Sequence, residues 1–319
     1  MIAPRVVLLC GGVGGAKLAL GLDRSLPPGD LAIIVNTGDD FDHLGLRICP
    51  DLDTVLYTLA GVVHPEQGWG RADETFTMLD ELVRRGGPDW FRLGDRDLAL
   101  HLQRSLRWRR DDRLTEITAD LVAQFDVHTT ILPMSDGIVA TRLDTDAGML
   151  DFQDYFVRRR CAPVVRKIHY EGTQSAVMSP EVLQALSSPR LERIVIAPSN
   201  PLLSIAPILS IPDLSDQLRS AGVPIIAVTP LIGGRAIKGP TVKLMQELGM
   251  QADACGIYKF YTDRCAGLLD AILIDTADGH QASKIGCVVA CTDTLMQTMA
   301  DRLRVAQSVL ELSVKGGRP

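Results

Sequence analysis

The chain is short of aromatic residues, which make up 5% of its 319 positions, so any cluster of rings stands out. It has no Cys-x-x-Cys pair. Its seven cysteines, Cys10, Cys49, Cys161, Cys255, Cys265, Cys287 and Cys291, are odd in number and scattered. That pattern excludes a disulfide framework and reads most simply as reduced thiols in a cytoplasmic protein. Cys287 and Cys291 are close together, but no second pair or nearby histidine completes a zinc set. Basic charge is not in excess: 33 Lys and Arg against 39 Asp and Glu leave a net charge of −6. A nucleic-acid binder would normally show a basic face. No apolar run reaches the roughly 20 residues of a membrane helix, and Met1-Ile-Ala-Pro-Arg5 passes directly into a strand, leaving no room for a signal peptide. The expectations are no nucleic acid, no membrane and a cytoplasmic location. There is no Gly-x-Ser-x-Gly elbow, no His-Glu-x-x-His and no Cys/His nucleophile pair, which argues against a covalent hydrolase.

What is present points elsewhere. Hydrophobic residues make up 46% of the chain, with 28 Gly and 18 Pro, enough to bury a large core. The apolar run Val6–Cys10 reads as a buried strand and Ala16–Leu22 as the helix that follows. Between them lies Gly11-Gly-Val-Gly-Gly-Ala-Lys17. A strand, a glycine turn and a helix N-terminus form an anion site, because free N–H groups and the positive end of the helix dipole face the turn. Gly11, Gly12, Gly14, Gly15 and Lys17 are therefore candidate nucleotide-binding residues. Lys17 stands where a dinucleotide fingerprint has its third glycine, and no P-loop spacing is present. A tight turn with no ligand is the alternative.

A second strand, Leu31–Asn36, runs into Asp39 and Asp40. Further strands are expected at Phe125–Leu132, Arg193–Ala197, Val223–Val228, Cys255–Tyr258, Ala271–Ile274 and Gly286–Ala290, with a hairpin formed by Ile138–Leu143 and Gly148–Phe152. Residues from about 68 to 125 read as largely helical, with Leu98, Leu100, Leu102 and Leu106 on an amphipathic face. A C-terminal helix is expected over Thr294–Leu312, and residues 315–319 read as a frayed end. Four strands end in polar or glycine-rich turns, at residues 11–17, 36–40, 198–201 and 229–235. That recurrence marks one ligand edge of a Rossmann-like, mostly parallel α/β sheet. The expected organisation is a single domain over residues 1–319. A helical and β insertion at about 65–190, largely helical where it covers the active-site edge, is expected within it.

Four constellations at that edge can carry chemistry. Asp39, Asp40, Asp51 and Asp53 could supply hard oxygens to a divalent metal bridging phosphates, or serve as turn and cap residues, with Asp53 or Thr54 an N-cap. Trp90-Phe-Arg-Leu-Gly-Asp-Arg-Asp97, followed by His101, suits a planar heterocycle by stacking and paired hydrogen bonds, or forms a packed turn. His101 is a candidate base or a structural histidine. Ser199 and Asn200 can donate to phosphate or to a base edge. Arg235 and Lys238 follow Gly233-Gly234 and can hold phosphate or lie in a solvated loop. The arginine runs 104–113 and 158–166 are either solvated faces or supports for an anionic ligand.

These segments, together with Cys49-Pro-Asp-Leu-Asp-Thr-Val55, Leu132-Pro-Met-Ser-Asp136, Pro198-Ser-Asn-Pro201, Gly239-Pro240 and Asp293-Thr-Leu-Met296, resemble the 2-phospho-L-lactate transferase family across almost the whole chain. The resemblance implies a magnesium-dependent homodimer in biosynthesis of the deazaflavin coenzyme F(420). Its reaction moves a phospholactyl-type group from a guanosine diphosphate-linked three-carbon acid to the primary hydroxyl of Fo, 7,8-didemethyl-8-hydroxy-5-deazariboflavin, with release of GMP. It implies Fo contacts at Asp53 and Arg92, flanked by Trp90, guanosine phosphates on the 11–17 loop and the Ser199/Asn200 turn, and metal or catalytic roles among Asp39, Asp40, Asp51 and Asp53. Some relatives of that family are non-catalytic nucleotide-sugar binders. Thr37-Gly-Asp-Asp40 and Leu93-Gly-Asp-Arg-Asp97 favour the transferase over that alternative.

Overall fold

The computed structural model describes residues 2–265 and 267–314; the expectation for residues 315–319 lies outside them. Seven strands form the central sheet: β1 (Val6–Cys10), β2 (Leu31–Val35), β3 (Thr130–Pro133), β4 (Arg193–Ile196), β5 (Ile225–Val228), β6 (Ala271–Asp275) and β7 (Val288–Thr292). In space they run β3-β2-β1-β4-β5-β6-β7, and every neighbouring pair is parallel. This is the doubly wound Rossmann order with one strand added. The order reverses between β1 and β4, where Val6 pairs with Leu31 on one side and Arg193 on the other.

Both faces of the sheet are covered, which explains why the strand sequences are continuous apolar runs rather than alternating ones. Val7, Leu9, Ile34 and Ile196 point into one core layer, and Val6, Leu8, Ile33 and Val195 into the other. Helix α1 (Gly12–Ser25) packs on the second layer beside α2 (Pro50–Leu59) and the C-terminal helix Met299–Glu311. Between β2 and β3 the chain makes a short hairpin, Phe41–His43 with Leu46–Ile48. It then forms α2, α3 (Thr77–Arg84), α4 (Asp95–Trp108) and α5 (Leu114–Gln124). Between β3 and β4 a three-stranded antiparallel sheet is added, with Ala140–Thr145 between Gly148–Asp151 and Val165–Glu171. No helix among the described residues is long and apolar enough to cross a membrane.

Several local expectations are corrected. Cys255–Tyr258 is not a strand but the start of a helix, Ala254–Arg264, whose N-cap Asp253 accepts from the Gly256 amide at 2.9 Å. A short apolar run does not distinguish the two by periodicity. Phe125 ends α5 instead of opening a strand. The C-terminal helix begins at Met299, where Thr298 and Asp301 form a capping box. Neither Asp53 nor Thr54 caps α2: the N-cap is Cys49, with Pro50 in the first turn. Leu102 and Leu106 lie on the outer face of α4, 48% and 49% exposed, while Leu100 is buried. Helix α1 starts at Gly12, so Gly14, Gly15 and Lys17 lie within it rather than in a loop.

Leu8 is fully buried in the strand that carries the glycine turn. Leu8→Ala is expected to lower unfolding free energy by about 2–5 kcal/mol. Leu102→Ala should change it by no more than about 0.5 kcal/mol. Denaturant titration of both variants separates the buried position from the outer one.

Candidate active site

The crevice opens at the carboxyl ends of β1 and β4, where the strand order reverses. The two strand ends are tied together directly. The Ser199 hydroxyl donates to the Gly11 carbonyl at 2.7 Å and accepts from the Gly11 amide at 3.2 Å. Close packing explains the glycines here. Gly12 has φ +63, and a Cβ on Gly14 would stand 2.4 Å from the Pro198 carbonyl oxygen. These residues let α1 lie against the end of β4.

One cavity of about 860 Å³ gathers most of the expected residues. Gly11, Gly12, Gly14, Lys17, Ser199 and Asn200 line it near the sheet edge, and Lys238 joins them from the opposite loop. Asp39, Asp51 and Asp53 form part of its wall, and Trp90 and Arg92 line it as well. Gly15, Asp40 and Arg235 are not in the lining. Gly15 is inside α1 against Ser199 and Cys10, Asp40 is buried beside Arg47 at 3.6 Å, and Arg235 is exposed on a two-residue strand.

The carboxylates are organised around one amide. Asn36, at the end of β2, donates from Nδ2 to Asp39 Oδ1 at 3.1 Å and to Asp51 Oδ2 at 3.0 Å. The other oxygen of Asp51 accepts from the Gly12 amide at 2.6 Å, so the helix N-terminus already holds a carboxylate. Burial, with the charges of Asp51 and Asp40 added, raises Asp39 well above the usual carboxylate range. Burial raises Asp51 to about 6 against the hydrogen bonds from Asn36 and Gly12. Burial also lifts Asp40 to about 7, opposed by Arg47, and both Asp40 carboxylate oxygens lack a hydrogen-bond partner.

Asp53 sits differently. Arg104, 2% exposed, forms a two-pronged pair with it: Nη1 donates to Oδ2 at 3.0 Å and Nη2 to Oδ1. Nη1 also lies 3.2 Å from His101 Nδ1. An arginine offers only donors, so that ring nitrogen accepts and the proton sits on Nε2, 3.6 Å from Asp97 Oδ1. The Tyr57 hydroxyl completes the row by donating to Asp97 at 2.5 Å. Sequence reasoning left Arg104 in a run that was either a solvated face or a support for an anionic ligand, and passed over Tyr57. The helical spacing of Asp97, His101 and Arg104 was the available signal.

Positive charge lines the opposite side. Lys17 donates to the Met296 carbonyl at 2.7 Å. Burial and repulsion from Arg302 and Lys238 hold its amine below the usual lysine range. Lys238 donates to the Gln67 carbonyl at 2.7 Å, joining two loops at the cavity wall. Asn200 spends its side-chain oxygen on the Leu202 and Leu203 amides, 2.9 and 3.1 Å away. At the far end Trp90, Phe91, Phe41 and His43 pack edge to face or tilted, with centroids 4.9–6.1 Å apart. The Arg92 guanidinium lies 4.4 Å from the Phe76 ring centroid. A cleft with buried carboxylates, cations and an aromatic wall can hold an anion and a flat ring side by side.

Among the described residues no three His, Cys, Asp or Glu side chains converge as a metal-ligating group. The donor chemistry still fits magnesium. Asp39 and Asp51 are buried neighbouring carboxyl groups that line the same cavity, and Mg²⁺ characteristically takes one or two protein carboxylates plus phosphate oxygens and water.

Comparison with known proteins shows the family. The family model "2-phospho-L-lactate transferase CofD" matches residues 6–306. A phosphoenolpyruvate transferase of Streptomyces griseus is 38% identical over 317 residues, covering 97% of this chain and 98% of that protein. A 2-phospho-L-lactate transferase of Methanosarcina mazei is 36% identical over 309 residues, covering 96% and 99%. A phosphoenolpyruvate transferase of Mycobacterium tuberculosis is 36% identical over 313 residues, covering 92% and 93%. A crystal structure of a UPF0052-family protein from Bacillus halodurans superposes with a TM-score of 0.66 at 15% identity, over 98% of this chain and all of that one, a likeness of fold. The chain belongs to the 2-phospho-L-lactate transferase family, a family of enzymes.

Removing Asp53 would leave the Arg104 charge buried without its partner. Asp53→Ala is expected to cost about 3–5 kcal/mol of stability. Arg92→Ala, at an exposed position on a ring face, should cost about 1 kcal/mol or less. Thermal or denaturant unfolding of the two variants checks the contrast.

Proposed function

We propose that this chain moves a phosphate-linked three-carbon acid from a guanosine diphosphate-linked donor to the primary hydroxyl of Fo and releases GMP, as a step in coenzyme F(420) biosynthesis. The observation that carries the reading is the cavity itself. It has an anion-binding edge at the switch point, a carboxylate pair beside it and an aromatic wall beyond, in a chain of this family. The relatives' names divide between phosphoenolpyruvate and 2-phospho-L-lactate, and both acids fit the proposal.

In this reading the hydroxyl oxygen of Fo attacks the phosphorus that bears the three-carbon acid. The bond to the bridging oxygen breaks, and GMP leaves with that oxygen. Lys17, Ser199 and the α1 amides hold the guanosine phosphates, supported by Asn200 and Lys238. Asp39 and Asp51 would hold Mg²⁺, which when bound would neutralise charge on the diphosphate and improve GMP as a leaving group. Trp90 and Arg92 hold the deazaflavin by ring contact and hydrogen bonding. Asp53 accepts a hydrogen bond from the attacking hydroxyl through lone pairs not used by Arg104, which fixes the direction of attack and eases passage of the hydroxyl proton to solvent as the oxygen–phosphorus bond forms. Asp40 acts from behind by holding Arg47. Rate enhancement then comes from placement and electrostatics rather than a covalent intermediate. Water-soluble, charged substrates and seven unpaired cysteines suit the reducing cytoplasm, and a homodimer belongs to the same reading.

Purified protein, Fo and each of the phospholactyl, enolpyruvyl-phosphate and phosphoglyceryl guanosine donors should give a new deazaflavin product by mass spectrometry, with GMP in equal amount. Absence of product with all three, with tighter binding of UDP-N-acetylglucosamine than of GDP by calorimetry, would support a nucleotide-sugar-binding protein instead. Asp53→Asn, which keeps the shape of the Arg104 partner, should lower kcat and kcat/KM together by about 10²–10⁴-fold, with GDP affinity kept. Arg92→Ala should chiefly raise KM for Fo. Steady-state kinetics on folded variants checks both, and near-normal rates and Fo affinity in both would remove these residues from the site.

A further inference from the structure

Arg158-Arg-Arg160 is the part of the arginine-rich sequence that the reaction scheme has not used. The three side chains have different fates. Arg158 lies 3.8 Å from Asp154 and 5.9 Å from the Trp90 ring centroid. Arg159 donates to Asp154 Oδ2 at 3.0 Å. Arg160 lines the cavity and, among the described residues, has no hydrogen-bond, ion-pair or ring partner. The other lysines and arginines in that lining are engaged: Lys17 with Met296, Lys238 with Gln67 and Arg92 with Phe76.

The backbone at Arg160 is unusual. Arg160 has φ 51 and Cys161 φ 55, two consecutive left-handed residues that both carry a Cβ. That conformation costs free energy for any residue but glycine. Arg160 is an exposed member of the cavity lining, and a glycine would suit the turn better.

The position of the segment gives Arg160 a role. Gln153 Nε2 donates to the Asp39 carbonyl at 3.2 Å, which ties one end of the segment to the phosphate side of the cavity. Arg158 reaches the Trp90 ring at the acceptor side. Residues 153–160 therefore bridge the two halves, and the group in transit must lie between those halves. All three candidate donors carry a carboxylate on that group, and a guanidinium is suited to grip a carboxylate with two parallel hydrogen bonds. We propose that Arg160 receives the carboxylate of the donor's three-carbon acid and so separates acid-bearing guanosine donors from GDP alone. This rests on the transferase reading.

The test is Arg160→Gly, which relieves the left-handed backbone while deleting the charge. Its melting temperature should equal or exceed that of the wild type. Its KM for the acid-bearing donor should rise roughly tenfold or more, while KM for Fo and the dissociation constant of GDP stay within about twofold. Arg160→Lys, with charge but no fork, should fall between. Arg166→Gln, which deletes an exposed charge nearby in sequence, should behave as wild type. A donor KM within twofold of wild type in Arg160→Gly overturns the inference and leaves the transferase reading intact. A GDP affinity that falls as much as the donor affinity also overturns it, since Arg160 would then serve the nucleotide. If the wild-type protein turns over none of the three donors, the transferase reading fails and this inference fails with it.

Discussion

Asp51 reaches from α2 to the N-terminus of α1, and the rest of the site depends on that contact. One oxygen takes the Gly12 amide and the other shares the Asn36 amide with Asp39. Three segments that are distant in sequence, the ends of β1 and β2 and the first turn of α2, are thereby joined at one point. The contact also sets an electrostatic problem. A helix N-terminus normally invites an anion, but here a carboxylate of the chain already holds its first amide, with a second carboxylate beside it. A nucleoside diphosphate can approach such a place only if positive charge comes too. Lys17 and Lys238 provide part of it, and in the proposed reaction a divalent cation held by Asp39 and Asp51 would supply the remainder.

Asp53 shows a different use of a carboxylate. Asp53 is two residues from Asp51, yet it faces a buried arginine instead of a second aspartate. Arg104 holds it in a fixed orientation, and His101, Asp97 and Tyr57 hold Arg104 in turn. One turn of α2 thus carries two carboxylates in different settings, set by what each meets. A carboxylate gripped at both oxygens is a well-aimed hydrogen-bond acceptor, which is the quality an oriented attack requires.

Much of this was legible in the chain. Val6–Cys10, Leu31–Val35 and Ala271–Asp275 announce doubly covered strands because all their residues are apolar or nearly so. Polar and glycine-rich turns after several strands located the ligand edge. Other features depend on tertiary contacts that spacing does not encode. Arg104 and Asp53 are 51 residues apart, and nothing in the run from Arg104 to Arg113 says that its first member is buried. Gly14 reads as a ligand-facing glycine, yet its lack of a side chain is also required by the Pro198 carbonyl. The segment 152–160 becomes a cavity wall only after an antiparallel sheet folds it over Asp39. Helix Ala254–Arg264 was hidden because an apolar run of four residues fits either period.

The central claim is that the carboxylate pair, a divalent cation and the guanosine diphosphate form one unit. Calorimetric titration of GDP into the wild-type protein, with Mg²⁺ and again with excess chelator, measures it most directly. The account predicts that GDP binds at least about tenfold more tightly with Mg²⁺, a coupling of about 1.4 kcal/mol or more, and that Asp51→Asn removes most of that difference. Equal GDP affinity in Mg²⁺ and in chelator would contradict it.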